Sequence, residues 1–116
     1  MLFIRSIILI AFLILPVFCS AEIKETGDAS IEDLNKALTA NPKNSDIYYK
    51  RGLAHAQSGD TAEAIKDFTR SIALNPGNAD AYYYRGRAHS KSGQNDMAIE
   101  DFKEAIEINP DYYKAY

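Results

Sequence analysis

His55 and His89 are the only histidines in the chain, and they stand 34 residues apart in matching surroundings. Each follows an Arg-Gly pair, Arg51-Gly52 in one case and Arg85-Gly86 in the other. Imidazoles at recurring positions suggest two chemistries, a shared metal ion or a proton-sensitive element. A zinc site, however, needs three or four converging ligands, and the single cysteine, Cys19, lies far upstream in sequence. The plainer reading places each imidazole between helices as a packing group. Arg51 and Asp67, and likewise Arg85 and Asp101, share a separation of 16 residues. That spacing suits a guanidinium–carboxylate tie across two antiparallel helices rather than a binding site.

Acid–base catalysis would need two carboxyl groups converging in a cleft with shifted pKa values. Glu32, Asp33, Glu63, Asp67, Glu100, Asp101, Glu104 and Glu107 are instead interleaved with Lys66, Arg70 and Lys103. That mixture reads as the solvated outer face of amphipathic helices. No Gly-rich phosphate loop, nucleophile elbow or His-Glu-x-x-His motif occurs. An enzyme is therefore not expected, and neither is a cofactor or a metal.

The chain carries 13 basic and 16 acidic residues among 116, and no basic cluster. Nucleic acid is not the expected partner. Its first 21 residues have the layout of a secretory signal: Met1–Arg5 with one charge, apolar Ser6–Leu15, then Pro16 and a small-residue exit at Cys19–Ala21. The apolar stretch Ile7–Cys19 is short against the roughly 20 residues that span a bilayer. Cleavage after Ala21 would remove Arg5 and the only cysteine, leaving an exported, disulfide-free protein that is periplasmic or secreted. The alternative is a membrane tether through an uncleaved signal, the only membrane contact expected.

The elements that would position these groups follow from a duplication. Ser45–Asn78 and Ala79–Tyr112 align without a gap, and 16 of the 34 positions are identical. A period of this size marks a helical repeat. Within the first copy Tyr48, Gly52, His55 and Ala56 recur at helical steps, with Ser45 or Asp46 as the expected N-cap. Gly59 ends that helix, and Asp60 or Thr61 would cap the next. The second helix carries Ala64, Ile65, Phe68 and Ile72 on its buried face and stops at Asn75-Pro76. Gly93 repeats the turn, and Ala98, Ile99, Phe102, Ala105 and Ile106 repeat the face. Mid-helix Gly52 and Gly86 cost about 1 kcal/mol each against Ala. That cost implies a close helix crossing, with Ala64 and Ala98 opposite and the two phenylalanines beside it.

These residues resemble the tetratricopeptide repeat. Tyr48, Gly52, Gly59, Ala64, Phe68 and Pro76 match its pattern in the first copy, and Tyr82, Gly86, Gly93, Ala98, Phe102, Ala105 and Pro110 match it in the second. The departures are His55, His89 and Ser71. The resemblance implies an all-α fold of antiparallel helix pairs stacked as a right-handed α-solenoid. Residues 22–44 would be a linker and a half-repeat helix, matched by Ile31, Leu34, Ala37, Leu38 and Asn41-Pro42; residues 45–78 and 79–112 would be the two repeats. Residues 113–116 would begin a further, incomplete repeat, whose open end offers a surface for homo-oligomerisation.

In this family the first helices line a concave groove. The corresponding positions are Asp46, Tyr49, Leu53, Ala56 and Gln57, then Asp80, Tyr83, Arg87, Ser90 and Lys91; of these Asp46, Tyr49, Leu53, Tyr83, Arg87, Ser90 and Lys91 are assigned to partner binding. Tyr49 and Tyr83 fit a groove or a helix core equally well. Arg87 and Lys91, one turn apart, would suit an acidic group on a ligand. Members that clamp a C-terminal carboxylate use Asn where this chain has Leu53 and Arg87, so that activity is not expected. The resemblance implies a non-catalytic adaptor or scaffold that grips a protein or peptide. The alternatives are an accessory segment of a longer envelope enzyme or transport component, and a self-associating structural unit.

Overall fold

The computed structural model describes residues 29–115, with side chains through Tyr112. The expected signal segment, 1–21, lies outside the described residues. Five α-helices follow in order: α1 (Ile31–Ala40), α2 (Ser45–Gln57), α3 (Thr61–Leu74), α4 (Ala79–Lys91) and α5 (Asn95–Ile108). A 3₁₀ segment, Pro110–Ala115, closes the described chain. Helices α2 and α3 form one antiparallel pair, α4 and α5 the next, and α3 packs against α4 to join them. The single helix α1 lies on α2 and buries Leu34 and Leu38. The fold is an all-α helical-repeat solenoid.

Local chemistry explains where the helices start and stop. Gly59 and Gly93 adopt φ of +87° and +80°, the left-handed turn that releases the chain from one helix into the next. The caps differ from expectation. Asn44, not Ser45 or Asp46, caps α2, its side-chain oxygen accepting from the Asp46 N–H at 3.0 Å. Asn78 caps α4 in the same register, accepting from Ala81 N–H at 3.3 Å. Asp60 occupies the cap of α3 without a side-chain hydrogen bond.

The core forms where glycine meets phenylalanine. A Cβ built on Gly52 would sit 2.7 Å from the Phe68 ring, and one on Gly86 would sit 2.7 Å from the Phe102 ring. The rings therefore lie directly over the glycines, not beside the crossing. Ala98 contributes through its carbonyl oxygen, 3.2 Å from the same point above Gly86. Phe68 is fully buried, which stabilises the fold by about 1.5–3 kcal/mol. Ser71, standing where Ala is usual, is also fully buried and donates its hydroxyl to the Ser45 carbonyl at 2.9 Å. This bond satisfies a polar group that would otherwise be costly in the core.

Two further expectations need correction. Asp67 and Asp101 do not belong to the solvated face; they are 5 % and 4 % exposed, drawn inward by their arginines. Ile99, placed on the buried face by its periodicity, is 49 % exposed. Its counterpart Ile65 is half-buried, because α3 is flanked by α2 and α4 whereas α5 packs chiefly on α4 and the 3₁₀ segment.

Candidate functional site

The first helices α2 and α4 touch, and a groove of about 760 Å³ opens beside them. From α2 come Leu53, Ala56 and Gln57; from α4 come Tyr84, Arg87, Ala88, Ser90 and Lys91; Thr61 and Phe102 complete the wall. The volume falls within the range of sites that hold small ligands or peptide side chains. Four of the seven residues assigned to partner binding, Leu53, Arg87, Ser90 and Lys91, line this single groove. They converge because α2 and α4 carry them at equivalent late turns of equivalent helices.

The other three are placed elsewhere. Asp46 is exposed at the start of α2 and pairs with Lys50 at 2.9 Å. Tyr49 does not line the groove; its half-buried ring lies 6.1 Å from Phe68 and 6.2 Å from Tyr84. Burial, followed by the charge of Asp80, pushes its hydroxyl well above the ordinary phenol range. Tyr83 faces a smaller hollow of about 340 Å³ shared with Asn109, Asp111 and Tyr112.

Tyr84 was not among the assigned residues, yet it joins the core to the groove. It stacks on Phe68 at 6.3 Å and meets Tyr83 edge-on at 5.1 Å. The sequence signal is a difference between the copies: Tyr-Tyr-Tyr at 82–84 stands where the first copy has Tyr-Tyr-Lys at 48–50. Arg87 lies 5.9 Å from the Tyr83 ring centroid and 5.8 Å from that of Tyr84. Contacts of this kind contribute about 0.5–1 kcal/mol at exposed sites and hold a guanidinium in place.

The histidines stay within their own repeats. His89 is buried, with Nδ1 2.7 Å from Gln94 Oε1 and Nε2 3.8 Å from Asp101. His55 faces Asp60 and Asp67 at 3.8 and 3.7 Å, and its buried Nδ1 has no hydrogen-bond partner. Each arginine of the expected ties also reaches back one helix. Arg51 donates to Asn35 on α1 at 2.9 Å, and Arg85 donates to Thr69 on α3 at 3.3 Å. The Asp67 and Asp101 carboxylates hold both guanidiniums more firmly protonated than usual.

Stacked helix hairpins with a shared concave wall define a helical-repeat protein, and the sequence comparison gives the family. Residues 27–78 and 49–113 each match the tetratricopeptide repeat model, so the chain belongs to the tetratricopeptide-repeat family. The crystal structure of MamA is similar, with a TM-score of 0.72 and 36 % identity over 74 % of this chain and 50 % of that one. An O-GlcNAc transferase from Thermobaculum terrenum has a TM-score of 0.72 and 33 % identity over 82 % of this chain and 19 % of its own. The first TPR of Spaghetti (RPAP3), solved bound to an HSP90 peptide, has a TM-score of 0.71 and 27 % identity over 73 % of this chain and 68 % of that one. The chain thus spans about half the length of MamA. No curated protein sequence matches it.

Proposed function

We propose that this protein is a non-catalytic adaptor that grips a protein or peptide partner in the groove beside α2 and α4. The observation that carries the reading is the groove itself, where an apolar floor of Leu53, Ala56 and Ala88 is bordered by the aromatic ring of Tyr84 and two cations. Rigid aromatic area beside arginine is the composition of interaction hot spots. The similar Spaghetti domain holds a peptide, which supports the same use of this fold. The N-terminal signal layout supports action outside the cytoplasm, in the periplasm or after secretion.

The groove is tested by affinity capture from envelope and secreted fractions with the wild-type chain and with Tyr84→Ala. A partner kept by wild type and lost by the variant is the expected result. Capture of the same set by both would place binding outside the groove. Export is tested by the N-terminal sequence of the protein recovered from its native cells, which should begin at Glu22.

A further inference from the structure

Among the described residues, Arg87 and Lys91 are the only charged ones that line the groove, and neither has a carboxylate partner within salt-bridge distance. Five of the eight other lysines and arginines whose side chains are described are paired: Arg51 and Arg85 on buried aspartates, Lys36, Lys50 and Lys66 on nearby acids. Arg87 and Lys91 differ from the unpaired Lys43, Arg70 and Lys103 in sharing one groove, beside Leu53, Ala56 and Tyr84. Arg87 is also oriented before any ligand arrives, since the faces of Tyr83 and Tyr84 support its guanidinium. A supported guanidinium loses less side-chain freedom when it closes a two-pronged contact with a carboxylate.

From this geometry we infer that the groove selects an acidic segment of a protein partner, with two carboxylates meeting Arg87 and Lys91 and an apolar side chain entering over Leu53 and Tyr84. The inference rests on the adaptor reading above. Arg87 and Lys91 are four residues apart on one helix, a rise of about 6 Å. Partner carboxylates match that distance when four residues apart in a helix, or two apart in an extended strand at about 3.3 Å per residue. Charge complementarity of this kind excludes basic and uncharged competitors more than it adds raw affinity. It also weakens as salt screens the exposed ends of the contact.

The test pans a phage-displayed random peptide library against the immobilised full chain, in parallel with Arg87→Gln/Lys91→Gln and with Tyr84→Ala. Arg87 and Lys91 are exposed, so the double variant is expected to keep the wild-type helical circular dichroism and to lose only the small contribution of the Arg87 ring contacts on melting. Wild type should enrich peptides bearing paired Asp or Glu beside an apolar residue. A synthetic peptide of that sequence should bind at least tenfold more weakly to the double variant, and more weakly to wild type as salt rises. Enriched peptides that lack acids, or that lose affinity on Tyr84→Ala but not on the double variant, would overturn the acidic inference and leave the groove reading intact. No enrichment at all would remove both. Self-association of the chain that the double variant abolishes would show the occupant to be a second copy, and the inference of a separate partner would fall.

Discussion

Arg85 holds Asp101 in a two-pronged grip: Nε donates to one carboxylate oxygen at 2.9 Å and Nη2 to the other at 2.7 Å. Arg51 holds Asp67 in the same way, at 2.8 and 2.7 Å. Each side chain joins the two helices of its repeat, and its remaining donors reach the preceding helix. The grip therefore ties hairpins internally and also to one another. Asp101→Ala would leave a mostly buried guanidinium without its counter-charge. Breaking such a pair costs about 3 kcal/mol or more. Urea unfolding followed by helical circular dichroism should show that loss, with Arg85→Met/Asp101→Leu recovering most of it. Equal stability of Asp101→Ala and wild type would mean the grip is incidental.

Gly52 tests the crossing. An alanine there gains about 1 kcal/mol of helix propensity, but its methyl would meet the fully buried Phe68 ring at 2.7 Å. Overpacking costs about 1–3 kcal/mol, so Gly52→Ala should be net destabilising. Adding Phe68→Leu should make the alanine less harmful than it is alone, and a double-mutant cycle by thermal melting measures that coupling.

The two copies differ at the histidine turn, and the difference predicts a gain. Gln94 gives buried His89 a hydrogen bond at 2.7 Å, whereas Asp60, at the same position of the first copy, leaves His55 Nδ1 3.8 Å away. Asp60→Gln should supply the missing bond and stabilise the fold by about 0.5–1.5 kcal/mol. The reverse change, Gln94→Ala, strands a buried nitrogen and should cost about 1–3 kcal/mol. Chemical denaturation of both variants decides this, and opposite signs are expected.

Tyr49 contributes to alkaline behaviour. Its hydroxyl is held above the ordinary phenol value by burial and by Asp80. A group whose folded pKa is raised contributes stability that is complete below its unfolded pKa and disappears as pH rises toward the folded one. For a tyrosine that loss begins near pH 10. Tyr49→Phe keeps the ring against Phe68 and Tyr84 but has no proton to release. Melting temperatures across the alkaline range should fall less steeply for Tyr49→Phe than for wild type. Parallel curves would show that Tyr49 ionises freely in the folded chain.

Much of this fold was legible in the sequence, because a duplicated segment states its own register. The 34-residue copies place both glycine turns, both Arg–Asp ties and a close approach at both mid-helix glycines, all of which depend on spacing within one hairpin; that the phenylalanine rings themselves cover those glycines was visible only in the packing. Six groove positions were legible through the repeat pattern: Leu53, Ala56, Gln57, Arg87, Ser90 and Lys91 follow from position within a repeat. The tertiary structure decided whatever depends on a neighbour outside the hairpin. Tyr49 and Tyr83 hold matching positions, yet one lies against Tyr84 and the other against Tyr112, because different chain follows each copy. Ile65 and Ile99 hold matching positions too, and among the described residues only the first lies on a helix flanked by two other α-helices. Periodicity names the face of a helix that seeks cover; what covers it is set by the elements that arrive from elsewhere in the chain.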